Sequence, residues 1–160
     1  MARKPIFLSF HYNNDVMRVQ QIRNIGALEG NEPVSVNAWE EVKRKGKASI
    51  EEWIDENMKY RRCVVVLIGE ETASRPWVKY EIEKAWNDGK PLFGIYIHNL
   101  KCPRNGKSKK GLNPFDNLTF KDGRKLSSVV KCYDPDPYDA YNGIANNMES
   151  WVDAAIAQWK

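Results

Sequence analysis

Two short stretches concentrate the residues able to act on a polar ligand. Ser9-Phe10-His11-Tyr12 sets a hydroxyl, an imidazole and two aromatic rings side by side, and Ser74-Arg75-Pro76-Trp77-Val78-Lys79-Tyr80-Glu81 ends on a carboxylate. On a helix, Trp77 and Glu81 lie one turn apart and share a face. Together these polar and aromatic groups could bind a planar, hydroxylated ligand, with Glu81 as the charged group. Each also has a plain structural reading. A helical Glu is ordinarily a solvated surface residue, Trp77 and Phe10 can serve as packing, and His11 can be a turn residue. The case for a site therefore depends on where the elements put these side chains.

Short β-like runs alternate with helical stretches, the pattern of a parallel sheet covered on both faces. The first strand is Ile6-Phe7-Leu8-Ser9-Phe10, followed by a helix from about Asn14 with Val16, Val19, Ile22 and Ile25 at helical spacing. A weak second strand covers Val34-Ser35-Val36, and the charged stretch from Trp39 to Gly46 reads as a loop. A second helix from about Ala48 to Tyr60 buries Ile50, Trp53, Ile54 and Met58. The third strand, Cys63-Val64-Val65-Val66-Leu67-Ile68, has no polar alternation and predicts burial on both faces. The third helix starts with Ser74 as N-cap and Pro76 in its first turn, and it ends at Asp88-Gly89. The fourth strand is Leu92 to Ile97. A polar insertion from His98 to about Gly123 is too rich in Lys, Asn, Gly and Pro for regular structure. A short strand at Val129-Val130 and a last helix from about Asp139, burying Ile144, Met148, Val152, Ala155 and Ile156, complete the chain.

Five strands with intervening helices predict an α/β, flavodoxin-like three-layer sandwich with a five-stranded parallel sheet of order 2-1-3-4-5. Ligands in such sheets bind outside the carboxyl ends of the strands, where the order reverses. That point lies after the first and third strands, at Ser9-Phe10-His11-Tyr12 and Gly69-Glu70-Glu71, with the start of the third helix bordering it. Fold locates a site without naming a reaction. Several reactions are excluded by residue type. A phosphate loop needs Gly five residues before Gly106, where Lys101 stands. No Gly-x-Gly-x-x-Gly or flavodoxin-type Ser/Thr-Gly loop follows the first strand. The acidic positions of a phosphorelay receiver hold Ser9-Phe10-His11 and Ile68-Gly69 instead. His11 and His98 have no metal-like spacing with the cysteines, so no metal is expected.

The chain has 160 residues, room for one domain spanning 1–160. A net charge of +4, with both signs interleaved, is compatible with an anionic ligand such as a dinucleotide and falls short of a nucleic-acid footprint. Cys63, Cys102 and Cys132 are an odd count without paired spacing, against a disulfide framework or a zinc site. Cys63 reads as a buried small hydrophobe. The N-terminus does not read as a signal peptide, and no apolar stretch is long enough for a bilayer. The expectation is a cytoplasmic protein without membrane contact, in which the sequon at Asn117 is a chance match. The basic stretch Lys101 to Lys110 reads as a plain loop able to attract an anion.

At this point the residues become specific. Ser9-Phe10 closing the first strand and Ser74, Trp77 and Glu81 opening the third helix resemble a Toll/interleukin-receptor (TIR) domain. The runs Phe7 to Tyr12, Trp39 to Gly46 and Gly94 to Asn99 carry the likeness further. They are similar to the bacterial TIR component of the Thoeris antiphage defence system, over most of residues 4–135. Two places depart from the common pattern: Val78 stands where many TIR domains have Cys, and the loop after the second strand is rich in Trp, Glu and Lys. Because of the second departure, no family role is carried over to the loop residues.

The resemblance implies NAD as substrate, no separate cofactor, and Glu81 as the catalytic carboxylate contacting the nicotinamide-side ribose. It implies a cyclic ADP-ribose-type product that activates a partner effector, and possible TIR–TIR homo-oligomers. Breaking the nicotinamide–ribose bond builds oxocarbenium character, which one aligned carboxylate can stabilise. Ser9, Phe10, His11, Tyr12, Ser74 and Trp77 are then the expected substrate contacts. Phe10 and Tyr12 would stack on a base, Trp77 would wall the pocket, and Arg75 or Lys43 would offset phosphate charge. The rival expectations are a non-catalytic TIR interaction module and a nucleotide sensor without turnover.

Overall fold

The strand Cys63–Ile68 (β3) is the element on which the others are assembled: all six of its residues are buried. The computed structural model describes residues 5–23, 29–30, 44–101, 106–119 and 123–159. Around β3 the chain forms β1 (Pro5–Ser9), α1 (Tyr12–Arg23), β2 (Glu29–Gly30) and α2 (Lys47–Met58), then α3 (Pro76–Asn87), β4 (Leu92–Tyr96), β5 (Cys132–Tyr133) and α4 (Ala140–Gln158). The strands are parallel and run in the order β2-β1-β3-β4-β5, with the outer two contributing two residues each.

Strand alternation splits the core into two layers. Ile6 and Leu8 of β1, Cys63, Val65 and Leu67 of β3, and Phe93 and Ile95 of β4 meet Val19 and Ile22 of α1 and Ile144, Met148 and Val152 of α4. Phe7, Val64, Val66, Ile68 and Leu92 point the other way, onto Ile50, Ile54 and Met58 of α2 and Val78, Ile82 and Ala85 of α3. An α/β class with helices on both faces of a parallel sheet is thus what the alternating pattern implied.

Several local expectations need revision. The strand expected at Val34-Ser35-Val36 lies outside the described residues, and the ladder beside β1 is made by Glu29 and Gly30. Val129 and Val130 are not in a strand. The N–H groups of both donate to Leu126 O at 3.0 Å, closing the turn after Leu126–Ser128, and the Val130 side chain is buried in the α2/α3 layer. Their amides are spent locally, so the sheet continues at Cys132 opposite Gly94. Trp53 and Ile156 are only partly buried.

The polar insertion also holds more structure than its composition suggests. It contains a 3-10 turn at Pro114–Asn117, whose Asn113 side chain accepts from the Phe115 N–H at 2.9 Å. Phe115 is fully buried in the α2/α3 layer. Phe115→Ala should therefore destabilise the whole domain by about 3–5 kcal/mol. Urea denaturation followed by far-UV circular dichroism checks this, and an unchanged midpoint would mean the insertion is not part of the core.

Candidate functional site

Ser9 ends β1 with the same parity as Phe7, so its side chain points into the α2/α3 layer, and it is fully buried. Phe10, one residue on, packs into the opposite layer. On α3 the sheet-facing stripe is Val78, Glu81, Ile82 and Ala85, spaced i, i+3, i+4 and i+7. Glu81 thus occupies a position where an apolar side chain would be expected, and it is only 7% exposed. Its partner comes from 72 residues away: Ser9 Oγ donates to Glu81 Oε1 at 2.7 Å.

One hydroxyl does not repay the hydration a carboxylate loses on burial. Burial pushes the Glu81 carboxyl up to about 8, against the lowering effect of the Ser9 hydrogen bond. The group is held neutral at moderate pH and becomes a carboxylate near the upper end of the neutral range. Shifts of this kind collect where a carboxyl does work.

The other expected site residues divide. Trp77 is half-buried against the α2/α3 layer, and its ring meets Tyr80 edge-on with centroids 5.6 Å apart. Tyr80 in turn donates from its hydroxyl to Asp55 Oδ1 at 2.9 Å, tying α3 to α2. His11 Nδ1 lies 3.9 Å from Glu71 Oε2, across the exits of β1 and β3. The same Glu71 oxygen is 3.0 Å from the Arg75 guanidinium, so a charge expected to face phosphate is engaged by a neighbour here. Ser74 is exposed, and its hydroxyl donates to Glu71 O at 2.9 Å. It closes the 3-10 turn Thr72–Ser74, while Arg75 occupies the N-cap of α3 without a side-chain cap. The N-cap expected of Ser74 is therefore corrected: the 3-10 turn inserted before Pro76 moves the helix start one residue on. The Tyr12 side chain and Lys43 lie outside the described residues. The structure thus joins Ser9 to Glu81, and His11 to Glu71, while Phe10 and Ser74 face elsewhere.

Three residues at this edge escaped the sequence reading. Thr72 is fully buried, and its Oγ1 accepts from the Gly69 N–H at 2.8 Å, shaping the exit of β3. Asp15 and Arg18 of α1 are both buried. A signal for them was present: they precede Val19 and Ile22 at i, i+3, i+4 and i+7, so two opposite charges sit in the apolar stripe. Among the described residues no group of three or more His, Cys, Asp or Glu is placed to hold a metal ion. Nor is any described helix long and apolar enough to cross a membrane.

The family described as "Thoeris protein ThsB, TIR-like domain" matches residues 7–102, which contain the end of β1 and all of β3 and α3. A relative from Bacillus cereus (strain MSX-D12), named "Putative cyclic ADP-D-ribose synthase ThsB1", is 32% identical over 131 residues, 77% of this chain and 68% of the relative. The chain is a member of the TIR-like domain family of the Thoeris protein ThsB.

Proposed function

We propose that this protein is an NAD-processing enzyme of antiphage defence that breaks the nicotinamide–ribose bond and closes the remainder into a cyclic ADP-ribose-type signal. The observation that carries the reading is the Glu81 carboxyl, buried at the end of β1 on a single serine hydroxyl. A carboxylate in that setting stabilises positive charge far better than one in water. The leaving nicotinamide departs neutral from a cationic precursor and needs no proton. The charge to be stabilised therefore lies on the sugar, and one carboxylate against its hydroxyls suffices. The name of the Bacillus cereus relative supports the cyclic product.

In this reading NAD is the substrate and no further cofactor takes part. The fold is the flavodoxin-like three-layer sandwich of order 2-1-3-4-5, one domain over residues 1–160, acting in the cytoplasm. The product activates a partner effector, and copies of the chain associate through TIR–TIR contacts. Neither nucleic acid nor membrane is a partner.

Incubating the protein with NAD and resolving the products by chromatography tests the reading. Free nicotinamide with a cyclic nucleotide is expected. Linear ADP-ribose in its place would make the protein a hydrolase. No turnover at high protein concentration, alone or with the partner effector, would overturn the enzyme reading in favour of an interaction module or a sensor.

A further inference from the structure

Asp15, Arg18, Val19 and Ile22 form the stripe of α1 that faces the sheet, with exposures of 1%, 3%, 0% and 6%. Burying a guanidinium costs several kcal/mol unless its N–H groups find partners. Here three of its nitrogens have a target. Nε donates to Leu100 O at 2.9 Å, Nη1 to Asp15 Oδ1 at 3.0 Å, and Nη2 to Gly106 O at 2.9 Å. One side chain on α1 thus holds the chain both after β4 and where it returns along the sheet edge.

A second contact seats the returning run. A Cβ added to Gly111 would stand 2.0 Å from Gly69 O and 3.1 Å from Glu70 O, so backbone lies on backbone at the exit of β3. Asp15 presses on the same place, since a Cβ on Gly69 would meet Asp15 Oδ2 at 2.0 Å. Gly69 is gripped between α1 and the run 106–111. β3 neighbours β1, and the Ser9–Glu81 hydrogen bond lies at the end of β1. The run therefore borders the crevice where ligands of such sheets bind.

We propose that Arg18 is a positioning residue: together with Asp15 it fixes residues 106–111 on Gly69 as a wall of the ligand crevice, and so governs substrate binding rather than the chemistry at Glu81. The inference takes its substrate from the NAD reading, while the clamp itself stands on the geometry alone. Lysine at position 18 keeps the charge but cannot present three nitrogens in a planar fork.

The test uses Arg18→Lys and Gly111→Ala, the second because it lifts the same run from the other side without touching a buried charge. Hydrogen exchange of the 106–111 backbone is measured beside the steady-state kinetics of nicotinamide release from NAD. Both variants are expected to exchange faster and to raise KM about tenfold with kcat within about threefold of wild type. Unchanged exchange in a folded Arg18→Lys protein would remove the clamp. Faster exchange at unchanged KM, or a fall in kcat alone, would overturn the link to substrate. Should Arg18→Lys fail to fold, the KM of Gly111→Ala decides. Wild-type protein that releases no nicotinamide counts against the NAD reading, a result separate from the exchange rates, which judge the clamp by themselves.

Discussion

Glu81→Gln should leave a folded protein that no longer releases nicotinamide and that resists alkaline unfolding better than wild type. The amide keeps the size of the side chain, and its oxygen can still accept from Ser9 Oγ. It cannot carry the negative charge that faces a developing oxocarbenium ion, and losing such a group costs about 10²–10³ or more in kcat. Stability moves the other way. Burial raises the Glu81 carboxyl from 4.5 to about 8, so between those values the unfolded chain has lost a proton that the folded chain keeps. Wild-type stability therefore falls as pH rises through that window, by about 1.4 kcal/mol per pH unit, and levels off above it. The variant has no such group. Its advantage should be absent near pH 4 and reach a few kcal/mol near pH 9. Urea denaturation at both pH values, beside a nicotinamide assay, checks the pair of effects. Equal turnover in the two forms would remove Glu81 from the mechanism, and equal stability at pH 9 would mean that its carboxyl is not held neutral.

The rate of the wild-type enzyme should itself report this carboxyl. If the ionised form is the reactive one, kcat/KM rises about tenfold per pH unit on the acid side and flattens near the free-enzyme value of about 8. Ser9 donates to the carboxyl and so favours its charged form. Ser9→Ala removes that donor, and the limb should move to higher pH while activity at neutral pH falls. A Ser9→Ala profile superimposable on wild type would show that the hydroxyl does not tune Glu81. Ser9 would then keep only the role expected of it as a substrate contact. Ser9→Thr, which restores the hydroxyl, should return the limb toward its wild-type position.

Both outcomes turn on features of unequal legibility. β3 could be read directly because six consecutive apolar residues have one use in an α/β chain, and all six are buried. The span of α3 could be read because Pro76 sits in its first turn and Asp88-Gly89 follows its end. Val129 and Val130 misled because β-branched residues suit a strand, while their amides close a turn on Leu126. Phe115 was hidden inside a polar insertion, where one aromatic residue gives no periodicity to detect.

By itself the sequence determined the class of fold and the candidate carboxylate, because apolar periodicity and residue spacing are local properties of the chain. Glu81 could be named from its spacing to Ser74 and Trp77, and family resemblance added NAD. Only the tertiary structure decided what kind of carboxyl it is. Its neutrality comes from burial against the sheet, opposed by one hydroxyl 72 residues distant, and neither has a local signature. The same holds for the partners of Arg18. Its place in the apolar stripe of α1 is a local signal of burial, but its partners Leu100 and Gly106 are 82 and 88 residues away. Ionisation and positioning are set by desolvation and by long-range partners, and those exist only once the chain has folded.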